Sequence, residues 1–236
     1  MKVDKGALIV LDGIDGVGKS TQMQLLAAYL KSVGYDVVTG HQPTHGTAGE
    51  RIREKYSEDR IVSLDAAEEL CQLFEMDRQE HLVKEILPAL DSKKVFILDR
   101  YVSSTMAYQG VSIASFCAPL DGTKESRNTI WDHACTLKRR AEETSPEPVV
   151  ELILDAPVVT ALSRVRTSRL SIVKLFERAE YLEEVRRVFL RIEGMNVVQV
   201  DTTRPVENTF GQIRCVVEPV LEVMAKDGKV TRGNIK

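Results

Sequence analysis

The chain has few cysteines, few histidines and no long hydrophobic run, and each absence excludes a class of protein. The four cysteines form no C-x-x-C pair and the four histidines show no metal-ligand spacing, so neither a zinc site nor a redox motif is predicted. No apolar stretch approaches the roughly 18 residues that a membrane helix needs, and no signal peptide precedes the first predicted strand. We therefore expect a cytoplasmic protein that has no membrane contact.

Positive charge is not in excess either, because 32 Lys and Arg residues and 35 Asp and Glu residues leave a formal net charge of -3. This balance argues against a protein that holds nucleic acid by bulk electrostatics, whereas a small anion needs only a local positive site. The 236 residues, of which 43% are hydrophobic, are enough for one large α/β domain.

Short apolar runs alternate with longer amphipathic stretches along most of the sequence. Continuous apolar strands separated by helices indicate a parallel sheet covered on both faces, so we predict a three-layer α/β/α fold with five parallel strands. The predicted strands are 7–12, 36–40, 94–98, 149–154 and 196–200. The predicted helices are 19–33, 47–57, 64–91, 101–109, 126–144, 157–167, 174–193 and 205–225. We expect one domain over residues 1–225 and a polar, disordered tail over residues 226–236.

The first predicted strand leads into a glycine-rich loop and then into a helical pattern. The loop has the form G-x-x-x-x-G-K-S, and this context predicts a P-loop of the NTPase type, in which backbone N–H groups and a helix N-terminus bind phosphate. Lys19 supplies a charge for the terminal phosphates of ATP, and Ser20 can ligate Mg²⁺. The predicted phosphate-binding residues are Gly13, Ile14, Asp15, Gly16, Val17, Gly18, Lys19, Ser20 and Thr21. The alternative is a glycine turn followed by a chance Lys-Ser pair.

A second motif follows the third predicted strand, where Asp99 and Arg100 begin the string D-R-Y-V-S-S-T-M-A-Y-Q. Ligands bind at the carboxyl ends of the strands in open α/β sheets. Asp99 is therefore placed to hold Mg²⁺ through water, and Arg100 is placed to clamp a phosphate. The alternative is an Asp–Arg ion pair that caps the next helix.

Together the two motifs resemble the thymidylate kinase family in its bacterial form. Two further segments carry the resemblance, L-F-E-M-D-R-Q-E-H at 73–81 and G-T-A-G-E-R-I-R at 46–53. The match runs from about residue 7 to about residue 110 and resumes weakly from 148 to 222. It implies ATP-dependent phosphorylation of dTMP to dTDP, with Mg²⁺ as cofactor and a homodimer as the assembly.

The resemblance also implies roles for single residues on the acceptor side. Phe74 stacks on the pyrimidine base, although its spacing also suits an ordinary core residue, and Arg78 binds the base edge or the acceptor-phosphate network. Arg100 binds the acceptor phosphate. Asp15 accepts a hydrogen bond from the sugar 3′-hydroxyl or positions that phosphate, and Tyr108 packs under the sugar. The remaining implied substrate-binding residues are Pro43, Ser104 and Gln109.

A further arginine is expected at the transferring phosphoryl group. Gly16 stands where one kind of family member carries an arginine. The chain is therefore expected to use a lid near residues 164–178, with Arg166 and Arg169 as its catalytic arginines. The alternative is a basic helix end that the helix macrodipole stabilises.

Three segments depart from the family pattern. Residues 41–47 read H-Q-P-T-H-G-T without the charged pair before the proline, residues 174–177 read K-L-F-E without a second lid arginine, and residues 111–148 are longer and unlike the family. The departures leave open a kinase for another deoxynucleotide or deoxynucleoside, or a nucleotide-binding protein with weak turnover. A regulatory GTPase is disfavoured because no N-K-x-D-like string is present.

Overall fold

The computed structural model describes residues 5–57, 63–168 and 179–233. Its centre is a five-stranded sheet in which all neighbouring strands are parallel, in the order β2-β3-β1-β4-β5. The strands are β1 (Ala7–Asp12), β2 (Val37–His41), β3 (Val95–Asp99), β4 (Val150–Asp155) and β5 (Val197–Asp201). The predicted fold class is confirmed, but β2 to β5 begin and end one residue later than predicted. The hydrogen-bond ladder includes a polar last residue in each of these strands, whereas the hydrophobic pattern stops before it.

Helices surround the sheet and are joined in two places by π-helical turns. Their bounds are α1 (Lys19–Ser32), α2 (Thr47–Ser57), α3 (Leu64–His81), α4 (Leu87–Asp91), α5 (Val102–Ser104), α6 (Gly110–Ala114), α7 (Lys124–Thr144), α8 (Val158–Ser168), α9 (Ala179–Leu190) and α10 (Val206–Lys226). The π-helical turns are Leu82–Ile86, between α3 and α4, and Thr105–Gln109, between α5 and α6. Within the described ranges, no helix is both long enough and apolar enough to cross a membrane.

Two of the predicted helices differ most from the structure, and most of the others differ by one to three residues at an end. The helix predicted over 64–91 is a composite of α3, a π-helical turn and α4. The helix predicted to end at residue 109 continues through α6, because Val111, Ile113 and Ala114 are buried in the core. Residues 110–114, which lie between two of the predicted helices, are therefore helical.

The central strand β1 is buried on both faces, and its side chains alternate between two hydrophobic clusters. Ile9 and Leu11 belong to the larger cluster, whereas Leu8 and Val10 belong to a smaller one, with Leu82, Ile86, Leu90, Phe96 and Tyr101. Since successive side chains of a strand point to opposite faces, Asp12 lies on the face of Leu8 and Val10. This face ends beneath the turn that follows β3.

The predicted disordered tail over residues 226–236 is wrong for residues 226–233. Lys226 ends α10, and the chain then forms backbone hydrogen bonds from Gly6 N to Lys229 O (2.8 Å) and from Gly233 N to Gly34 O (2.8 Å). The guanidinium of Arg232 lies 5.2 Å from the ring centroid of Tyr35. A polar sequence gives no sign of such backbone pairing. Residues 234–236 lie outside the described residues.

Candidate active site

The P-loop lies between β1 and α1, and its three glycines have left-handed backbone conformations. The φ angles are 133° at Gly13, 86° at Gly16 and 95° at Gly18. A Cβ atom on Gly18 would meet no atom within 4 Å, so the N-terminus of α1 opens into a space in which an anion can bind. A Cβ atom on Gly16 would lie 2.1 Å from the carbonyl oxygen of Ala161 in α8. Glycine is needed at 16 for packing, whereas at 18 the positive φ favours glycine beside the predicted phosphate site.

Lys19 folds back over the loop in which it is expected to hold a phosphate. Its Nζ donates to the carbonyl oxygens of Gly13 (3.0 Å) and Ile14 (2.9 Å), and the residue is only 6% exposed. Burial, and then the nearby charge of Arg100, lower the pKa of Lys19 below its usual value. A bound polyphosphate would supply the negative charge that favours the protonated amine.

Ser20 and Asp99 form the predicted metal site. The Ser20 hydroxyl donates to Oδ2 of Asp99 at 2.9 Å. The other carboxylate oxygen, Oδ1, is buried and has no hydrogen-bond partner in the part of the chain that the structure describes. Hydroxyl and carboxylate oxygens are ligands that Mg²⁺ accepts, and an unpaired buried oxygen is costly. These two residues therefore fit a Mg²⁺ ion that also binds the donor phosphates.

Arg100 is the centre of the acceptor side of the site. Its guanidinium donates to Oδ1 of Asp15 (2.7 Å), to Oγ of Ser104 (3.2 Å) and to the hydroxyl of Tyr108 (3.4 Å). Burial opposes the charge of Arg100, but the neighbouring anionic groups, with Asp15 first, outweigh it and raise its pKa. Arg100 also has φ 73°, a left-handed conformation that is uncommon for residues other than glycine. The predicted residues Asp15, Arg100, Ser104 and Tyr108 are thus brought together.

Asp12 lies beneath this cluster, and the sequence did not single it out. It is fully buried, and its carboxylate accepts hydrogen bonds from the Ser104 hydroxyl and from the backbone N–H of Tyr101 (3.2 Å). Burial raises the pKa of Asp12 to about 6, against the opposing effect of the hydrogen bond from Ser104. An aspartate directly after an apolar run looks like the end of a strand, so its position in the site carried no sequence signal.

The base-binding residues implied by the family lie on α3 and on the second π-helical turn. Arg78 is 1% exposed, donates to Oγ1 of Thr105 at 3.0 Å and pairs with Glu75. Burial lowers the pKa of Arg78. Phe74 is only partly buried, and its ring centroid lies 6.2 Å from that of Tyr56. Thr105 and Tyr56 contact the predicted residues Arg78 and Phe74, and neither was assigned a role from the sequence.

The loop that departs from the family pattern is held in place by two charged side chains. Its Gln42–Pro43 peptide bond is cis. The carboxylate of Asp77 accepts from N (2.9 Å) and Oγ1 (2.6 Å) of Thr44, and Arg53 donates to the carbonyl oxygens of Pro43 (2.8 Å) and Thr44 (2.6 Å). Asp77 lies on α3 and Arg53 on α2, so Pro43 is held between these two helices without the charged pair of the family pattern.

Of the remaining predicted residues, some are buried in the fold and others lie outside the described residues. Gln109 is 2% exposed, and the hydroxyl of Tyr108 accepts from the backbone N–H of Asp15 at 3.1 Å. Arg169 lies outside the described residues, and so does the side chain of Arg166. Arg164, in the same segment, donates to the carbonyl oxygen of Thr202 at 2.7 Å and so joins α8 to the end of β5.

Two predicted phosphate-binding elements thus lie at the same edge of the sheet. They are the P-loop, which follows β1, and Arg100, which follows β3. A site of this kind on a parallel sheet defines a P-loop phosphotransferase. The sequence profile of the family described as thymidylate kinase matches residues 11–120. The chain is 34% identical over 223 residues to the thymidylate kinase of Desulfotalea psychrophila, a match that covers 94% of this chain and 100% of the relative.

Two further relatives have a similar sequence identity to the chain. The chain is 33% identical over 216 residues to the probable thymidylate kinase of Archaeoglobus fulgidus, covering 92% of this chain and 97% of the relative. It is also 33% identical over 216 residues to the thymidylate kinase of Xanthomonas euvesicatoria, covering 92% of this chain and 85% of the relative. The chain therefore belongs to the thymidylate kinase family. This membership confirms the predicted enzyme class, a nucleoside monophosphate kinase.

Proposed function

We propose that the protein transfers the γ-phosphoryl group of ATP to dTMP and releases dTDP and ADP. One observation carries the proposal beyond family membership. Asp15 belongs to the P-loop, yet its carboxylate pairs at 2.7 Å with Arg100 on the acceptor side. A single ion pair therefore joins the group that binds the donor to the group that binds the acceptor, as a transfer between two phosphates requires.

The reaction asks for positioning and charge neutralisation rather than covalent participation by the protein. A phosphate oxygen of dTMP forms the new bond to the γ-phosphorus, while the bond to the β,γ-bridging oxygen breaks and its electron pair leaves with ADP. Lys19 exchanges its loop carbonyls for the donor phosphates, and Arg100 holds the acceptor phosphate in line. Ser20, and Asp99 through water, would hold Mg²⁺, which would supply positive charge to neutralise the donor phosphates.

The acceptor nucleoside is proposed to lie between α3 and the π-helical turn Thr105–Gln109. Phe74 supplies a face for stacking on the base. Arg78 and Gln109 supply buried hydrogen-bonding groups for its edge, and Tyr108 packs under the sugar. Support comes from the burial of Arg78 and Gln109, because buried polar groups discriminate strongly between bases that do and do not satisfy them.

A lid near residues 164–178 is proposed to supply the arginine for the transferring group, within a single domain that also includes residues 226–233. Gly16 supports this proposal, because the contact with the carbonyl oxygen of Ala161 leaves no room for a side chain on the P-loop at that position. The arginine must then come from another segment, and Arg166 and Arg169 are our candidates.

A homodimer and a cytoplasmic location complete the proposal. Met76, 56% exposed, and Val83, 68% exposed, are large apolar side chains on α3 and on the turn that extends it. Such exposed apolar side chains suit burial against a second copy of the chain. Light scattering after size exclusion would test the assembly, and Met76→Glu is expected to shift it toward the monomer.

The experiment that tests the function is ADP formation from MgATP with dTMP, compared with dUMP, dCMP, dGMP and no acceptor. We expect strong turnover that depends on dTMP and is lost in both Lys19→Ala and Arg100→Ala. Turnover with another acceptor alone would instead favour a kinase of different specificity, for which the uncharged loop 41–47 is the motivation. ATP binding without turnover on any acceptor would contradict a kinase and favour a binding protein.

A further inference from the structure

Two buried carboxyl groups lie beneath Arg100, and the proposed reaction uses neither of them. Asp12 ends β1, and Glu151 lies on the adjacent strand β4, where it is paired in register with Val10. Val10 and Asp12 point to the same face of the sheet, so Asp12 and Glu151 share that face two residues apart. Asp12 is 0% exposed and Glu151 7% exposed.

Each of these carboxyl groups contacts one of two adjacent serines in the short helix α5. Asp12 accepts a hydrogen bond from Ser104, and Ser104 in turn accepts one from Nη1 of Arg100 at 3.2 Å. Glu151 interacts with the hydroxyl of Ser103. A continuous path of hydrogen bonds therefore runs from the buried carboxylate of Asp12 to the guanidinium that is proposed to bind the acceptor phosphate.

Charged side chains of both signs lie near the two buried carboxyl groups. Arg100 and Lys19 face Asp12 with opposite charge, and Asp99 faces it with like charge. Lys138 and Glu142, both on α7, face Glu151, with effects of opposite sign. Burial raises the pKa of Asp12 to about 6, and burial together with the charge of Asp12 raises the pKa of Glu151 to about 7. The negative charge that Asp12 carries once it has ionised therefore disfavours ionisation of Glu151.

We propose that Asp12 is a positioning residue for the acceptor phosphate, since it holds Arg100 through Ser104. The inference rests on the proposed function. When Asp12 is ionised, it accepts a strong hydrogen bond from Ser104 and fixes the guanidinium. When Asp12 is protonated, that bond weakens and Arg100 holds the acceptor less firmly. Glu151 has the higher pKa of the two, so it is still neutral over the range in which Asp12 ionises.

The test measures KM for dTMP, KM for ATP and kcat from pH 5.5 to pH 8.5 in the wild type and in Asp12→Asn. We expect KM for dTMP to be about tenfold higher in Asp12→Asn at pH 8, with KM for ATP unchanged, and the two proteins to converge as the pH falls and Asp12 of the wild type becomes protonated. The phosphate of dTMP also titrates near pH 6, but it does so equally in both proteins, so the difference between their profiles belongs to the protein. Glu151→Gln is the matched control with an expected wild-type profile, because it neutralises the other buried carboxyl group, which lies beside Ser103 rather than Ser104.

A second variant tests the path of hydrogen bonds without changing a buried charge. Ser104→Ala is expected to raise KM for dTMP about tenfold at pH 8, where the wild type binds best, and to add little to the effect of Asp12→Asn in the double variant. Coincident profiles for the wild type and Asp12→Asn, or an unchanged KM in Ser104→Ala, would overturn the inference. A wild-type protein without turnover on dTMP would contradict the proposed function itself.

Discussion

The proposed donor and acceptor halves of the site differ in which parts of the chain form them. The donor half is backbone: three glycines with positive φ, the N-terminus of α1 and a lysine held by two carbonyl oxygens. The acceptor half is side chain: Arg100 held by three side-chain partners, above two buried carboxyl groups. A backbone site is set by local conformation, whereas a side-chain site depends on its charges. The two halves should therefore respond differently to substitution and to pH.

The largest effect is expected in the donor half, from Gly16→Ala. The substitution forces alanine into φ 86° and places its Cβ against the carbonyl oxygen of Ala161, so the free energy of unfolding should fall by about 3–4 kcal/mol. Gly18→Ala has similar backbone strain but no close atom, and should cost only about 1–2 kcal/mol while weakening ATP binding. Urea unfolding of both variants measures the contrast. Equal losses of stability would contradict the packing role of Gly16.

In the acceptor half, Arg100→Lys should lower kcat/KM for dTMP about 100-fold and leave KM for ATP nearly unchanged. Lysine keeps the charge but cannot reproduce a planar guanidinium that contacts Asp15, Ser104 and Tyr108 together. Steady-state kinetics with each substrate varied in turn is the measurement. A comparable rise in KM for ATP would show that the two halves are not separable.

The effect of the buried charge of Glu151 can be measured through the free energy of unfolding. The pKa of Glu151 is raised from 4.5 to about 7 on folding, so the folded state binds the proton more tightly and its stability decreases as the pH rises through this range. Glu151→Gln should therefore be more stable than the wild type by about 2 kcal/mol at pH 8 and equal to it near pH 4. Thermal or urea unfolding at both values checks the sign. A variant less stable than the wild type at pH 8 would contradict it.

The smallest effect is expected far from both halves, from Arg232→Ala. It removes an exposed cation–π contact with Tyr35 and a hydrogen bond from Nε to the carbonyl oxygen of Val33 (3.0 Å). The free energy of unfolding should fall by about 0.5–1 kcal/mol, with kcat and both KM values unchanged. A loss of activity in a fully folded variant would mean that the opposite edge of the sheet is coupled to the site.

The same contrast explains how much could be predicted from the sequence. The P-loop, the sheet and the place of Arg100 followed from glycine spacing and apolar runs, because these patterns act over a few neighbouring residues. Asp12 and Glu151 could not be recognised as a pair, because they lie more than a hundred positions apart and meet only through the register of β1 and β4. Each one alone looked like an ordinary strand residue.

Other features were missed for related physical reasons. Residues 227–233 are held by backbone hydrogen bonds, and a pattern of hydrophobic residues cannot predict such bonds. The contact of Gly16 with α8 identifies a reason for glycine that the P-loop motif does not contain, since the motif allows any residue at that position. Roles on the acceptor side came from family resemblance, and they remain predictions.

The left-handed conformation of Arg100 lowers the stability of the fold at a residue whose side chain the proposed activity requires. Glycine would adopt φ 73° without the roughly 1–2 kcal/mol that a side chain costs there, but it would carry no guanidinium. A directed-evolution screen that rewards heat resistance alone would thus remove backbone strain at the position where the acceptor phosphate is proposed to bind. Stabilising libraries for this enzyme should therefore hold position 100 constant and draw their gains from elsewhere in the fold.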